Sequence, residues 1–209
     1  MKYLKCFGFV LFLGGCSKTN TSLDLNSGLP SLEGGAWQMD CSSFTGYEAA
    51  TITYAGGSYQ HLTSNYSDAS CAVKQMETVE QGTYQIGDTE SGTSMVQLDR
   101  TLSVLTIKPL TAAIVSQLNS QSFCGINSWT LNFAQDVTGR NCSGVLVPSA
   151  GATYYDIYSI ASVDMPAFGG LQATSRGDLT FGYNDTSHDG STPSERPNSL
   201  SGNYVFRKQ

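Results

Sequence analysis

The sequence is short of charge, above all of positive charge. Only 13% of its 209 residues are Asp, Glu, Lys or Arg, and 11 basic residues stand against 17 acidic ones. Nucleic-acid phosphates require a basic protein surface, so we expect no nucleic-acid partner. A helical bundle would need many more Glu, Lys, Leu and Ala residues. The abundant Gly, Ser, Thr, Tyr and Asn instead favour exported β-structure with many turns.

Long apolar runs and catalytic motifs are also missing. After Phe12 no apolar run approaches the roughly 20 residues of a membrane-spanning helix, so we expect the rest of the chain to be soluble. No Gly-x-Ser-x-Gly motif of a serine hydrolase is present. Carboxylates that could form an acid–base pair are scattered, and on a β-sheet they are more often solubilising charges: Glu48, Glu77, Glu80 and Asp99. The balance is therefore against an enzyme, and we expect no cofactor.

The N-terminal segment has the three parts of an export signal. Lys2 and Lys5 form a basic region, and residues 7–13 form an apolar region too short for a permanent membrane span. Leu13-Gly14-Gly15-Cys16 then resembles the lipobox of bacterial lipoproteins. The resemblance implies that residues 1–15 are a lipoprotein signal peptide and that Cys16 carries diacylglycerol and a further acyl chain such as palmitate. An ordinary secretory signal or a short uncleaved anchor are the alternatives.

The predicted lipid determines where the protein is expected to be. Two or three acyl chains hold a protein on a membrane far more firmly than one. Ser17 follows the modified cysteine, where an aspartate would favour retention in the inner membrane of enterobacteria. The resemblance therefore implies a cell-envelope protein anchored in a bacterial outer membrane. Without residues 1–15 the chain keeps 9 basic and 17 acidic residues, for a net charge of −8.

The remaining cysteines form an even set. Cys6 is lost with the signal peptide and Cys16 is used by the lipid. The other four would lie in an oxidising compartment, which favours two disulfides: Cys41, Cys71, Cys124 and Cys142. We predict Cys41–Cys71 and Cys124–Cys142, because each loop then stays within one supersecondary unit, although the sequence allows two other pairings. The alternative of a metal site lacks support, since no Cys-x-x-Cys and no nearby histidine is present.

Two regions follow the predicted signal peptide. Residues 16–34 have no aromatic residue and are rich in Ser, Asn and Gly, so we predict a lipidated, flexible tether. From residue 35 to residue 209 short β-segments recur every 10 to 15 residues, which predicts one domain built as an antiparallel meander. The predicted strands lie near residues 36–41, 47–55, 58–66, 72–78, 82–86, 95–107, 129–133, 153–161, 178–183 and 204–207.

Local residue patterns define three features more closely: the buried face of the strand at 47–55, the turn that follows it and one helix. Ala50, Ile52 and Tyr54 alternate with polar residues and must share one face of a strand. Gly56-Gly57 follows, and its glycines permit the positive φ angles of a tight hairpin turn. A single short helix is predicted over 110–119, where Leu110, Ile114 and Leu118 recur every four residues. Pro109 or Thr111 is expected to stand at its start.

Gly35-Ala36-Trp37 resembles the Gly-x-Trp motif on the first strand of lipocalins and related calycin barrels. The resemblance implies an all-β fold of about 8–10 antiparallel strands closed into a barrel. It also implies that Trp37 plugs the closed end and that an arginine of the last strand, Arg207, lies over its ring, a contact worth about 0.5 to 2 kcal/mol.

A second likeness covers more of the chain. Several segments are similar to a group of bacterial lipoproteins without an assigned activity: residues 82–87, Phe123-Cys124-Gly125 with Trp129, and residues 189–193 with Arg196-Pro197. This likeness supports the lipoprotein interpretation but implies no reaction.

Three interpretations of function follow from these observations. The lipocalin resemblance implies a small apolar or amphipathic ligand inside the barrel. Alternatively, the barrel is filled and its outer surface and loops bind a protein or glycan of the envelope. The third interpretation is an enzyme, which no nucleophile, metal or acid–base motif in the sequence supports. Asp185, His188 and Asp189 are weak metal-ligand candidates that could offer carboxylate and imidazole ligands, although a turn stabilised by its own Asp and Ser side chains explains them more simply.

Overall fold

The computed structural model describes residues 31–43, 46–165 and 174–209 of the protein. The predicted signal peptide, Cys16 and most of the predicted tether lie outside these residues. The described strands are β1 (Ala36–Ser42), β2 (Tyr47–Ala55), β3 (Ser58–Tyr66), β4 (Lys74–Thr89), β5 (Val96–Pro109), β6 (Gln135–Asp136), β7 (Asn141–Cys142), β8 (Val145–Leu146), β9 (Thr153–Met165), β10 (Thr174–Gly182) and β11 (Leu200–Lys208). One α-helix, α1 (Ala112–Ser120), and two short 3₁₀ turns, Phe123–Gly125 and Pro193–Glu195, are found in the described part.

Eight of these strands form a closed ring. Antiparallel pairing runs β1-β2-β3-β4-β5-β9-β10-β11 and returns from β11 to β1. The short β6 adds to the far part of β5, and β7 pairs with β8 as a separate hairpin. The predicted all-β antiparallel fold with one short helix is therefore confirmed.

Several local predictions are also confirmed. Ala50, Ile52 and Tyr54 are all buried on the inner face of β2. Gly56 and Gly57 both have positive φ angles in the turn between β2 and β3. The helix begins after Thr111, whose side chain accepts a hydrogen bond from the Ile114 amide and so caps the first turn.

Three predicted strands are wrong as drawn. The strands predicted at 72–78 and 82–86 fall in one strand, β4, which begins at Lys74 and continues through a bulge at Gly82, where a Cβ would lie 2.0 Å from the Thr101 carbonyl oxygen. Trp129 to Phe133 form no strand. The Asn119 side chain binds both the amide and the carbonyl of Trp129, and Asn132 has a φ of 61°, so the segment folds as a loop.

One end of the ring is filled and covered. Trp37 is completely buried, and its indole N–H donates to the Leu32 carbonyl oxygen at 2.8 Å. Leu32, 2% exposed, packs in the same cluster, so residues 31–34 are part of the folded body although the sequence placed them in the tether. Large side chains fill this half of the interior: Tyr54, Tyr59, Tyr84, Leu98, Tyr158 and Leu179.

A second apolar cluster extends the molecule at the other end of β4 and β5. Ile107 of β5 packs there with Leu118 of α1 and with Trp129 and Val137 of the loops that follow. The apolar side of α1 thus covers a flank of the sheet, as its periodicity predicts. Among the described residues no helix is long and apolar enough to cross a membrane.

Both predicted disulfides are present. Cys41 on β1 bonds to Cys71 in the connection between β3 and β4, and Cys124 bonds to Cys142 on β7 beside the second cluster. Each links positions within one local unit of the chain. On a chain-entropy model, loops of this size contribute about 3 to 4 kcal/mol each.

Candidate ligand-binding cavity

The half of the ring opposite Trp37 is not filled. It contains an open cavity of about 570 Å³, within the roughly 300–1,000 Å³ typical of small-molecule sites. Aliphatic and aromatic side chains form much of its wall: Met39, Ala50, Ile52, Phe181, Tyr204 and Phe206. Polar side chains at its wall include Thr63, Asn184, Ser201 and Asn203. The arrangement suits a molecule with both apolar and polar parts.

A buried ion pair lies in the cavity wall. Arg100 of β5 donates from Nη2 to Oδ2 of Asp156 on the neighbouring β9 at 3.1 Å. The guanidinium carbon of Arg100 also lies 5.6 Å from the ring centre of Phe181 and 5.9 Å from that of Tyr59, within cation–π range. Arg100 is therefore held by one carboxylate and two aromatic faces.

The backbone fixes Asp156 in place. Its Oδ1 accepts hydrogen bonds from the amides of Ile157 at 2.8 Å and Gly182 at 3.1 Å. A Cβ on Gly182 would lie 2.7 Å from this oxygen and 2.5 Å from Pro197, so a glycine is required for the close approach. Asp156 thus uses both carboxylate oxygens for structure and for orienting Arg100.

Residues 184–199 support the pair from outside the ring. Arg196 donates from Nη1 to the Asp156 carbonyl oxygen at 2.6 Å and from Nη2 to Asp99 at 2.7 Å, and its guanidinium lies over the Tyr155 ring. The Tyr155 amide donates to the Gly190 carbonyl oxygen. These contacts hold β5 and β9 together at the point where Arg100 and Asp156 point inward.

The electrostatics of the interior are dominated by Arg100 and its carboxylates. Burial alone lowers the pKa of Arg100, but Tyr54, Asp156 and Glu80 together raise it above its usual value, so the guanidinium stays charged. Burial raises the pKa of Asp156, and the charge of Arg100 and the two backbone donors oppose that rise. Glu80 accepts a hydrogen bond from the Tyr59 hydroxyl at 2.6 Å.

His61 is also part of the cavity wall. Its Nε2 lies 3.4 Å from the Thr63 hydroxyl, and its ring meets Phe206 edge-on at 6.2 Å. Burial, assisted by the positive charge of Arg100, lowers the pKa of His61 to about 4. The imidazole is therefore neutral at neutral pH, and Arg100 is the positively charged group among the described residues that line the cavity.

Two interior polar atoms have no hydrogen-bond partner among the described residues. They are the Tyr54 hydroxyl oxygen and Nε of Arg100. Burial of a donor without an acceptor is unfavourable by about 1–3 kcal/mol, and more when the donor is charged. These two atoms therefore make an unfavourable contribution to the free energy of folding.

The predicted contact between Trp37 and Arg207 is wrong. Register pairs Trp37 with Lys208 and Gln38 with Arg207, so Lys208 shares the inner face with Trp37 and Arg207 faces outward. The Lys208 ammonium lies 5.3 Å from the Trp37 ring centre and donates to the carbonyl oxygens of Ser31 and Glu33. Arg207 instead forms an ion pair with Asp40 on the outer surface.

The weak metal candidates lie in an exposed turn. Asp185 Oδ1 accepts hydrogen bonds from the amides of Ser187 and His188, and these bonds lower the pKa of its carboxyl. Asp189 accepts the Ser191 amide, and His188 Nε2 lies 3.2 Å from the Asn198 side-chain amide. Over residues 31–43, 46–165 and 174–209, no three His, Cys, Asp or Glu side chains are grouped as a metal site would need.

The scattered carboxylates have different partners. Glu77 pairs with Lys74 and Lys108, and Asp99 pairs with Arg196. Glu80 accepts the Tyr59 hydroxyl, whereas Glu48 lines the cavity.

Sequence reasoning missed Arg100 and Asp156, although a signal was present. In β5 Arg100 alternates with Leu98 and Leu102, and in β9 Asp156 alternates with Tyr154 and Tyr158. A charged residue on the otherwise apolar face of two strands indicates a buried pair when those strands are neighbours. The pairing of β5 with β9, across more than 50 residues, was not visible in the sequence.

No protein-family model matches this chain, and no curated protein is significantly similar to it.

Proposed function

We propose that this protein is a membrane-anchored lipoprotein of the bacterial cell envelope that binds a small amphipathic ligand inside its ring of strands. The observation that carries the proposal is the division of the interior. One half is filled by Trp37 and the tyrosines around it, whereas the other keeps a cavity of about 570 Å³. A filled interior would leave such a ligand no place to bind.

The other supports come from the sequence and from the closed end. The lipobox at residues 13–16 supports the anchor. A buried Trp37 covered by a basic residue supports a relationship to lipocalins, with Lys208 in the place where the resemblance implied an arginine. The alternative, a filled barrel acting only through its outer surface, agrees less well with the open half of the interior.

Native mass spectrometry tests the proposal. Full-length protein expressed in its own host and held in lipid nanodiscs should carry a small molecule that survives transfer to the gas phase. Ala50→Trp should abolish this adduct, because Ala50 lines the cavity and is 5% exposed. Thr51→Trp, on the opposite face of β2, is the matched control and should keep it.

A second variant fills the cavity from another strand, in case Ala50→Trp does not fold. Ser201→Phe narrows the cavity from β11. Circular dichroism and disulfide mapping check that each variant is folded. A wild-type protein without any adduct, or an adduct retained in both folded cavity variants, would contradict the proposal.

A further inference from the structure

The buried guanidinium of Arg100 has hydrogen-bonding capacity left over. A guanidinium carries five N–H donors. Nη2 donates to Asp156, whereas Nε is buried without a partner among the described residues. The side chain is 17% exposed and lines the cavity, so part of it faces the space that a ligand would occupy. A ligand oxygen placed against this exposed part of the guanidinium would gain a charge-assisted hydrogen bond.

The charge of Arg100 is already balanced, however. Asp156 lies 3.1 Å away, and the negative charge of Glu80 also acts on the guanidinium. His61, which also lines the cavity, contributes no positive charge at neutral pH. An anionic ligand would therefore meet a guanidinium whose positive charge is already opposed by Asp156 and Glu80, in a site of low dielectric.

A cationic ligand is also disfavoured at this point, because it would have to approach the guanidinium. The group that fits is a neutral acceptor. Resting on the proposed function, we infer that the ligand places an uncharged carbonyl oxygen, as in a ketone, ester or amide, against Arg100, and its apolar part against Ile52, Phe181 and Phe206.

Three probes with nearly the same skeleton and different charge test the inference. They are 4-phenylbutan-2-one, 3-phenylpropionate and 3-phenylpropylammonium. Titration calorimetry at pH 7, on full-length protein in nanodiscs with empty nanodiscs subtracted, gives their affinities. The ketone should bind about tenfold more tightly than either ion, because the carboxylate would have to be desolvated beside Asp156 and the ammonium beside Arg100.

Removal of one charge should abolish the preference for the ketone over the carboxylate. Asp156→Asn keeps an Oδ1 acceptor for the amides of Ile157 and Gly182 but removes the negative charge beside Arg100. The affinity ratio should then move toward 3-phenylpropionate by about tenfold or more. Asp178→Asn is the matched control, because Asp178 pairs with Arg176 on β10 and lies next to Leu179, which points inward. It should leave the ratio unchanged.

A double variant tests the guanidinium without leaving an unpaired buried charge. Arg100→Met with Asp156→Asn removes both members of the pair, and the affinity for the ketone should fall about tenfold. Circular dichroism checks its fold.

Four results would overturn the inference: equal or tighter binding of the carboxylate in the wild type, tightest binding of the ammonium, an unchanged ketone affinity in the folded double variant, or no binding of any probe. The proposed function is judged separately, because the native-mass experiment detects the host ligand and uses none of these probes.

Discussion

At the scale of single residues, the interior places ionisable groups where an ordinary core would have apolar ones. Arg100, Asp156, Glu80 and His61 share an inner surface with Leu98 and Phe206. Each charged group has a specific partner, which is the condition under which burial of charge is tolerated. His61 avoids the free-energy cost of burying a charge, because its imidazole is neutral at neutral pH.

The low pKa of His61 predicts an acid-sensitive fold. Its pKa is about 4 in the folded protein and 6.5 in the unfolded chain, so the unfolded chain binds the extra proton first. The free energy of unfolding should be largest above pH 6.5 and should fall as the pH drops toward 4, by about 3 kcal/mol in total from this group. Urea unfolding at pH 7.5, 5.5 and 4.5 measures the loss.

The two histidines of the chain supply the comparison. His61→Gln should remove this part of the acid sensitivity, whereas His188→Gln, in the exposed turn beside Asp185, should retain it. The explanation fails if the slopes of stability against pH are the same for wild type and His61→Gln.

At the scale of the elements, the seam between β1 and β11 closes the ring. Register places Lys208 opposite Trp37, and its ammonium also binds the carbonyl oxygens of Ser31 and Glu33. Lys208→Met keeps much of the aliphatic chain but loses these contacts, so we expect a loss of about 1–2 kcal/mol in the free energy of unfolding.

The neighbouring residue provides the matched comparison. Arg207→Met removes an ion pair with Asp40 that is largely exposed, and it should cost about 0.5 kcal/mol. Urea unfolding of both variants ranks the two residues. If Arg207→Met cost more than Lys208→Met, the assignment of Lys208 as the residue over Trp37 would have to be abandoned.

Local sequence patterns predicted much of the fold, and long-range pairing explains where they failed. Alternation identified the buried face of β2, and residue spacing identified both disulfides and the helix. Alternation at Trp129, Leu131 and Phe133 misled, because a loop anchored by Asn119 gives the same spacing. The lipocalin resemblance implied an arginine over Trp37 and so pointed to Arg207. The register places Lys208 there instead, because a shift of one residue changes which side chain faces inward. The cavity itself depends on which strands meet, and no local pattern encodes that.

At the scale of the whole molecule, the proposed function requires that a lipid at Cys16 anchors the folded ring of strands to a membrane. Globomycin, an inhibitor of the lipoprotein signal peptidase, should make a larger precursor accumulate in the host, because Leu13-Gly14-Gly15-Cys16 resembles that enzyme's recognition sequence. Gel electrophoresis of pulse-labelled cells measures the precursor. Cys16→Ala should prevent lipid attachment, whereas Cys6→Ala, within the signal peptide, should not. Unchanged processing under globomycin would contradict the anchor.

The closure of the ring also constrains when the protein can fold. β1 and β11 are the first and last strands described, so their pairing requires all the strands between them to have been synthesised. Until then, β1 carries an unpaired edge that could associate with other chains. A newly made polypeptide therefore cannot complete its interior while its C-terminal part is still in the ribosome. On the proposed export route, the chain would cross the membrane unfolded and complete its interior only after translocation.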